Sequence, residues 1–427
     1  MKPSTICVVG LGYIGLPTAV MFANCGHTVH GVDVNEAVLT HLNNRELPIE
    51  EPGLLERLNE AMDAERFTVS NEPVESDVFI LAVPSPITEE KRANFAYIES
   101  ATRSIAPVVK KGDLVILEST VPPRTVQDVV VKTLEEETDF VIGEDIFVAH
   151  SPERVIPGKV FEELVNNDRI IGGVNERSAQ MTADLYRTFV KGNMHLTDDT
   201  TAELVKVMEN TYRDVNIALA NELAKVAANI GVDVWEAIRL ANFHPRVNIH
   251  FPGPGVGGHC IAVDPWFLVA LDEVNTPLIH TARKTNDGMP QYTAKLTASI
   301  LQAKAIEQPK VAALGLAFKG NIDDMRESPS LDVVHYLKEE NLNVVAFDPH
   351  IQENRLPEQT QSLTDAARDA SALVILTNHD AFIELDPHTV GPLMKTRVVI
   401  DTKNCIDRAR WKEAGFDVYT LGNSKDD

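Results

Sequence analysis

The feature that most constrains this chain is a glycine-rich turn near its N-terminus. The apolar run Thr5-Ile-Cys-Val-Val9 predicts a buried strand, and Gly10-Leu-Gly-Tyr-Ile-Gly15 follows it directly. A helical stretch over 16–25 comes next, and a second apolar strand then ends at Asp33. The glycines permit a tight turn, a close approach of a pyrophosphate, and packing of the helix on the strand. A lone glycine motif is weak evidence, but this order of elements predicts a dinucleotide-binding domain.

The acid at the end of the second strand indicates which dinucleotide is bound. A carboxylate at Asp33 accepts hydrogen bonds from the ribose hydroxyls, whereas NADP-binding domains place an arginine near the 2′-phosphate. The sequence therefore predicts NAD as the cofactor.

The rest of the first ~190 residues alternates strands and helices, as in a parallel sheet. Three apolar runs are each followed by a polar or proline-containing loop. The loops are Val83-Pro-Ser-Pro86, Ser119-Thr-Val-Pro-Pro123 and Ser151-Pro-Glu-Arg154. Ligands of open α/β sheets bind at the carboxyl ends of the strands. We therefore expect these loops to line a site.

A long helix is predicted after this sheet. Thr200 or Thr201 is expected to cap it, and Gly231 to end it. At about 1.5 Å per residue such a helix exceeds ~35 Å, which suits a central connector that also supports a dimer. Lys206 and Asn210 are four residues apart and share one face of this helix.

A second glycine-rich segment, Pro252–Trp266, carries Cys260 and, four residues later, Asp264. A lone cysteine beside a glycine turn is more often a buried core residue. Together with an NAD fingerprint, however, Cys260 indicates a nucleophile that takes part in the oxidation of an alcohol. A thiol with a lowered pKa traps an aldehyde as a thiohemiacetal, a second oxidation gives a thioester, and water releases a carboxylate.

The last ~120 residues predict a second, degenerate nucleotide-binding domain. One strand ends at Gly315 and another at Asp348, which repeats the order of the first domain, but the second glycine fingerprint is missing. We expect this half to bind a different nucleotide. Convergence on a common α/β pattern stays open as the alternative.

Length and charge set broader bounds. A chain of 427 residues is too long for one core, and its net charge of −24 argues against nucleic acid and anionic membranes as partners. The four cysteines are scattered, without disulfide or metal-ligand spacing, so we expect no metal and a reducing cytoplasm. The predicted domains cover residues 1–195 (NAD-binding), 196–300 (helical, substrate and dimerisation) and 301–427 (a second nucleotide-binding domain).

With these residues assembled, the chain resembles the UDP-glucose/GDP-mannose dehydrogenase superfamily over nearly its whole length. The motifs in the family's order are Ser151-Pro-Glu-Arg154, Glu203-Leu-Val-Lys-Val-Met-Glu-Asn210, Gly257-Gly-His-Cys260, Gly315-Leu-Ala-Phe-Lys319 and Arg326-Glu-Ser-Pro329. The resemblance implies two Rossmann-like doubly wound domains joined by a long central helix and a helical dimerisation region. It also implies that the second of these domains, residues 301–427, binds UDP.

The run from His244 to Ile249, with Asp264-Pro-Trp266, looks most like the branch that acts on UDP-N-acetylhexosamines. It implies a four-electron, NAD-dependent oxidation of UDP-N-acetyl-D-mannosamine at C6 to UDP-N-acetyl-D-mannosaminuronate. Three alternatives stay open: the same reaction on UDP-N-acetyl-D-glucosamine, a two-electron 3-hydroxyacid dehydrogenase, and a non-catalytic NAD-binding sensor or scaffold.

The resemblance also implies roles for individual residues. Cys260 resembles the nucleophile, Lys206 and Asn210 the groups that stabilise the oxyanion, and Asp264 the group that activates water with Lys206. Glu153 and Thr120 resemble the residues that support thioester hydrolysis. The residues implied for NAD are Gly10, Gly12, Tyr13, Ile14, Gly15, Asp33, Val83, Pro84, Ser85, Thr120 and Arg326. Those implied for the nucleotide sugar are Glu153, Arg154, Lys206, Asn210, Arg246, Asn248, Phe251, Gly255, Gly257, Phe318, Lys319 and Lys403.

Three further positions bear on ligand binding. Arg246 is expected to reach the site of the partner subunit in a homodimer. Lys403 stands where many relatives have arginine, and a lysine keeps the charge but loses the bidentate fork. Val38 stands where UDP-glucose enzymes often place an arginine near the adenosine ribose, so the grip on the cofactor is expected to be weaker or supplied elsewhere.

Overall fold

The computed structural model of the chain describes residues 3–49, 51–156 and 158–424. It divides into two compact units. The first comprises Met1–Glu209 with Trp266–Leu271, and the second Asn210–Pro265 with Asp272–Asp427. The predicted three-domain division at 195/196 and 300/301 stays a prediction.

The first unit is built on an eight-stranded sheet of its described residues. The strands are β1 (Thr5–Val9), β2 (Thr28–Val32), β3 (Phe67–Ser70), β4 (Val78–Leu81), β5 (Leu114–Leu117), β6 (Phe147–His150), β7 (Arg169–Gly173) and β8 (Met194–Asp198). Their order is β3-β2-β1-β4-β5-β6-β7-β8, and every neighbouring pair is parallel except β6 and β7. The direction of winding therefore reverses between β1 and β4, where such sheets bind ligands.

Helices cover both faces of this sheet, which is why its central strands are apolar on both sides. They are α1 (Gly15–Asn24), α2 (Glu36–Asn43), α3 (Leu54–Asp63), α4 (Ala96–Ile105), α5 (Lys132–Glu137), α6 (Val160–Asn166) and α7 (Glu176–Tyr186). A π-helix, Val126–Val131, precedes α5. One face is packed by side chains such as Leu16 and Phe22, and the other by side chains such as Ile98 and Val130.

The predicted long helix is α8 (Asp199–Ile230), 32 residues or about 48 Å. It ends where predicted, because Gly231 adopts a left-handed conformation with φ of +74°. Its predicted cap is wrong. Asp198 caps the helix, since its carboxylate accepts the backbone N–H of Thr201 at 2.8 Å and the hydroxyl at 2.7 Å.

The second unit holds a six-stranded sheet of described residues, parallel throughout. Its strands are β9 (Lys310–Leu314), β10 (Asn343–Phe347), β11 (Gln359–Thr360), β12 (Ala372–Ile375), β13 (Val398–Asp401) and β14 (Asp417–Thr420). The order β11-β10-β9-β12-β13-β14 repeats that of β3 to β6 in the first sheet. The predicted fold, two Rossmann-like sheets and a long helix, is confirmed.

Further helices complete the described part of the chain. They are α9 (Val234–Ala241), α10 (Asp264–Leu271), α11 (Pro277–Asp287), α12 (Met289–Ala303), α13 (Pro329–Glu339), α14 (Leu363–Ala367), α15 (Asp380–Ile383), α16 (Pro387–Val390) and α17 (Arg408–Glu413), with a 3₁₀ turn at Gly391–Leu393. Within residues 3–49, 51–156 and 158–424, no helix is both long and apolar enough to cross a bilayer.

Candidate active site

The three glycines of the N-terminal turn have different surroundings. Gly10 adopts φ of +96°, and a Cβ there would lie 2.5 Å from the carbonyl oxygen of Ala82. A Cβ on Gly15 would lie 1.8 Å from the carbonyl oxygen of Gly10. A Cβ on Gly12, by contrast, would meet no protein atom within 4 Å. The fold requires Gly10 and Gly15, whereas Gly12 borders open space that suits a pyrophosphate.

The start of α1 lies beside this open space. Ile14 is its N-cap residue and is half-buried, as is Tyr13. No side chain caps this end of the helix, and its first turn contains no acidic residue. The N-terminal backbone N–H groups of a helix favour an anion. The turn therefore fits the pyrophosphate of NAD.

Asp33 ties the turn to the end of β2. One oxygen, Oδ2, accepts the backbone N–H of Leu11, and Oδ1 accepts that of Asn35, both at 2.9 Å. The side chain is half-exposed, and an ionised carboxylate has further lone pairs. Asp33 is thus placed to accept from a ribose while it holds the turn.

The loops after β4 and β5 are joined by two hydrogen bonds. The hydroxyl of Ser85 donates to the carbonyl oxygen of Thr120 at 2.5 Å, and the hydroxyl of Ser119 donates to that of Val83 at 2.6 Å. The structure therefore brings Val83, Ser85 and Thr120 together, with the exposed Pro84 between the first two.

Glu153 lies buried in an ion pair that sequence reasoning missed. Its Oε2 accepts from Arg169 at 2.5 Å, and its Oε1 accepts the backbone N–H of Arg154 at 2.7 Å. Arg169 is itself buried and also donates to the hydroxyl of Ser151 at 3.1 Å. The carboxylate that was expected to support hydrolysis is therefore held in place by a paired guanidinium.

The same guanidinium approaches a second buried acid, Glu118, at 3.4 Å. The hydroxyl of Tyr186 donates to Glu118, and Arg169 lies 4.1 Å from the centre of the Tyr186 ring. Burial raises the pKa of Glu118 to about 7, against the opposing charge of Arg169. In the sequence, the one sign of this buried acid is its position, since Glu118 directly follows the apolar strand β5.

Arg154 and Lys206 lie in this unit too. Arg154 forms a fork with Glu209, with distances of 3.1 Å from Nε and 2.6 Å from Nη2, so part of its hydrogen-bonding capacity is already used. The imidazole of His150, at the end of β6, is fully buried beside the backbone of Leu117. Burial, with a smaller effect from the charge of Lys206, lowers the pKa of His150 to about 3.

The second unit contains the predicted nucleophile. Cys260 is half-buried in the turn ahead of α10, and its carbonyl oxygen accepts the backbone N–H of Asp264 at 2.8 Å. The Asp264 carboxylate is buried and accepts from the amide of Asn210 at 2.6 Å. Three predicted catalytic residues are therefore neighbours in one unit.

The glycines before Cys260 allow close packing. A Cβ on Gly257 or Gly258 would approach Phe318 to 2.8 Å, and one on Gly255 would approach Pro329 to 2.5 Å. The backbone N–H of Gly258 donates to the carbonyl oxygen of Arg326 at 3.2 Å. The glycine-rich loop thus lies against the two segments that the family motifs place after β9.

The predicted substrate cations differ in their surroundings. Lys403 is half-buried, and a Cβ on Gly253 would lie 3.2 Å from its Nζ, while burial lowers the pKa of Lys403. Lys319 and Arg246 are exposed, and Arg326 forms a fork with Asp324, with distances of 2.9 and 2.6 Å. Lys403, Lys319 and Arg246 stay predicted contacts of the nucleotide sugar, and Arg326 stays a predicted contact of NAD.

Two further predicted residues lie after α9. Asn248 is exposed, and the ring of Phe251 stacks on Trp235 with centroids 5.5 Å apart. The stacking holds Phe251 although more than half of its surface is exposed. Its position is thus fixed by α9.

The acid of the second sheet is enclosed. Asp348 follows β10 as Asp33 follows β2, but its Oδ2 accepts from the backbone of Leu316 and Ala317 and from Nε2 of His379, at 2.6, 3.0 and 3.0 Å. Asp348 and His379 are buried. An acid held in this way is not placed to bind the ribose of a dinucleotide as Asp33 is, which supports the prediction that this half does not bind a second dinucleotide.

The predicted residues fall into two sets, one in each unit, and their roles stay predictions. Among the residues that the structure describes, no group of three or more histidine, cysteine, aspartate or glutamate side chains is arranged to hold a metal ion.

Comparison with known proteins gives matches along most of the chain. Residues 4–190, 200–288 and 312–408 match the NAD binding, central and UDP binding domains of the UDP-glucose/GDP-mannose dehydrogenase family. A UDP-N-acetyl-D-mannosamine dehydrogenase of Methanococcus maripaludis is 48% identical over 98% of this chain and 97% of its own. An NDP-N-acetyl-D-galactosaminuronic acid dehydrogenase of Ralstonia solanacearum is 44% identical over 93% and 95%. The solved structure of a UDP-D-ManNAc dehydrogenase from Pyrococcus horikoshii has a TM-score of 0.93 and 42% identity, covering 99% of this chain and 100% of its own.

Proposed function

The chain belongs to the UDP-glucose/GDP-mannose dehydrogenase family, and from this premise we propose that it oxidises UDP-N-acetyl-D-mannosamine at C6 to UDP-N-acetyl-D-mannosaminuronate with two NAD⁺. The observation that carries the proposal is the set of contacts around Cys260. A half-buried thiol lies one turn ahead of Asp264, whose carboxylate is bound by Asn210. A sensor or a two-electron dehydrogenase has no need of such a nucleophile.

NAD, when bound, accepts the hydride in each oxidation. The residues proposed to hold it are Gly12 and Asp33, with Ser85 and Thr120 at the neighbouring strand ends. The open space at Gly12 and the unused lone pairs of Asp33 are what the pyrophosphate and the ribose require.

The first half of the proposed mechanism takes the alcohol to an aldehyde. The C6 hydroxyl loses its proton to a water held by the Asp264 carboxylate while C6 loses a hydride. The Cys260 thiolate then adds to C6, which forms a C–S bond and places a negative charge on the former carbonyl oxygen. The cation of Lys206 and the amide of Asn210 stabilise that charge.

In the second half, loss of another hydride from C6 gives a thioester. Asp264 activates a water molecule, which attacks C6 while Glu153 supports the hydrolysis. The C–S bond then breaks and returns the Cys260 thiolate. The balance is one alcohol, one water and two NAD⁺ giving one carboxylate, two NADH and three protons.

The test is NADH formation by purified protein with each nucleotide sugar offered separately and free of epimerase. Two NADH per UDP-N-acetyl-D-mannosamine, with little from other sugars, is the expected result. No NADH from any UDP-N-acetylhexosamine would refute the proposal. One NADH per sugar would show that the protein is a dehydrogenase that carries out a single oxidation, without the thioester step.

Two further sugars belong in that assay, because the sequence leaves UDP-N-acetylglucosamine open and the Ralstonia relative is named for an N-acetyl-D-galactosaminuronic acid. UDP-N-acetylgalactosamine and UDP-N-acetylglucosamine are therefore the alternative substrates. The proposed mechanism is the same for all three, since C6 reacts and the sugars differ only in configuration at C2, at C4 or at both.

We also propose that the protein is a cytoplasmic homodimer. Along α8, Tyr212, Leu219, Val226 and Ile230 are each more than two-fifths exposed, and they lie seven, seven and four residues apart on one helical face. The exposed Arg246 is the proposed contribution to the partner's nucleotide site. Light scattering should give twice the chain mass of 47.0 kDa, and a monomer at assay concentration would contradict the proposal.

A further inference from the structure

A line of buried hydrogen bonds in the second unit starts on α8, passes through α11, returns to α8 and ends at the glycine-rich loop. Oδ1 of Asp214 accepts from the amide of Asn286 at 2.8 Å, and Oδ1 of Asn286 accepts from the amide of Asn221 at 2.9 Å. Oδ1 of Asn221 accepts the backbone N–H of Gly253 at 2.9 Å. All three side chains are fully buried. The line therefore ends on the backbone of the loop itself.

The two ends fix the direction of this line. An ionised carboxylate at Asp214 can only accept, and the backbone N–H of Gly253 can only donate. Each amide between them must point its NH₂ group toward Asp214 and its oxygen toward Gly253. Burial raises the pKa of Asp214, but the paired guanidinium of Arg283 opposes this and favours the ionised form. The orientation of Asn221 is thus set by charges on its far side.

The loop depends on this one bond because of its own sequence. Gly253 stands between Pro252 and Pro254, which have no backbone N–H. Within this tripeptide the N–H of Gly253 is the only backbone donor, and Asn221 binds it. Gly253 also packs against the end of Lys403, since an added Cβ would lie 3.2 Å from Nζ. A shift of Gly253 would therefore disturb the environment of that cation.

We propose that Asn221 is a positioning residue for the nucleotide sugar. It fixes the segment from Pro252 to Pro254 beside Lys403, and Asn286 and Asp214 hold its amide in the required orientation. The inference rests on the proposed function, because it assumes that this loop and Lys403 bind the UDP part of the substrate.

The test measures binding of UDP alone by calorimetry, together with steady-state kinetics. For Asn221→Ala we expect the Kd for UDP and the KM for the nucleotide sugar to rise about tenfold, which corresponds to about 1.4 kcal/mol. The KM for NAD should stay within about twofold, and kcat should change less than the sugar KM. For Asn286→Ala, which leaves the bond to Gly253 possible but frees the Asn221 amide to rotate, we expect a rise of roughly threefold.

A matched control separates positioning from general loss of packing. Thr297 is a fully buried polar residue of α12 whose hydroxyl donates to the carbonyl of Thr293, outside the line. Thr297→Val should leave the Kd for UDP unchanged. If it weakens UDP binding as much as Asn221→Ala does, the positioning role is wrong.

The remaining outcomes are also decisive. If Asn221→Ala does not fold, Asn286→Ala carries the test. Unchanged UDP binding in every variant that folds, with an active wild type, would overturn the positioning role alone. A wild-type protein that neither binds UDP nor oxidises any nucleotide sugar would instead overturn the proposed function.

Discussion

Asn210 donates a hydrogen bond from Nδ2 to Oδ2 of Asp264 over 2.6 Å, and both side chains are buried. The amide occupies one acceptor position of the carboxylate and orients it. Removing the charge need not remove this contact, because the two amides of an Asp264→Asn variant can still pair.

For Asp264→Asn we therefore expect an intact fold and a loss of chemistry. The kcat should fall about 10²-fold or more, because a group that activates water contributes about that much. The melting temperature and the Kd for UDP should stay close to those of the wild type. A variant with full kcat would show that Asp264 only supports the turn at Cys260.

Replacing the nucleophile gives a sharper result. Cys260→Ala should lower NADH production by about 10³-fold or more, because no thioester forms. Mass spectrometry of the wild type mixed with substrate and NAD should find the sugar attached to Cys260. The exposed Cys25 offers a matched control, and Cys25→Ala should keep wild-type activity. Equal losses in both variants would point to a general effect of cysteine removal.

The glycines of the N-terminal turn separate cofactor binding from folding. Gly12→Val should weaken NAD binding by roughly tenfold or more at an unchanged melting temperature, because the new side chain fills space that no protein atom occupies. Gly15→Ala should instead lower the melting temperature, because its Cβ would lie 1.8 Å from a carbonyl oxygen. Calorimetry with NAD and thermal unfolding check both. Tight NAD binding by Gly12→Val would place the pyrophosphate elsewhere.

His150 predicts a dependence of stability on acid. Its pKa is about 3 in the fold against an ordinary value of 6.5, so the unfolded chain binds a proton first as the pH falls. The free energy of unfolding should drop as pH falls from 6.5 toward 3. Between about pH 7.5 and about pH 5, the protonation of His150 in the unfolded chain should lower the free energy of unfolding by about 2 kcal/mol.

Urea unfolding at the two pH values measures this loss. The variant His150→Phe should show a smaller acid loss than the wild type, while His335→Phe, which replaces an exposed histidine, should not. The same acid loss in His150→Phe as in the wild type would assign the effect to other groups.

Local sequence patterns predicted the parts of the site that lie close together in the chain. The turn, Asp33 and the end of α8 at Gly231 follow from spacing and backbone freedom. The partners of buried polar groups could not be predicted in this way, because they come from distant segments of the chain. Arg169 reaches Glu118 across 51 residues, and Gly253 reaches Asn221 across 32.

The acid of the second sheet illustrates the same limit. Asp348 was found from the repeat of strand ends, but its enclosure by His379, 31 residues away, was not. A repeat in the sequence predicts where a strand ends. Whether the acid there faces a ligand or the interior depends on contacts that only the folded chain reveals.

The enclosure of Asp348 has a consequence for the timing of turnover. Of the two strand-end acids described, Asp33 is half-exposed and Asp348 is buried, so we expect one dinucleotide per chain at any moment. Two oxidations then require the first NADH to depart and a fresh NAD⁺ to arrive partway through each cycle. A sugar covalently attached to Cys260 would wait through that exchange without escaping as a free aldehyde.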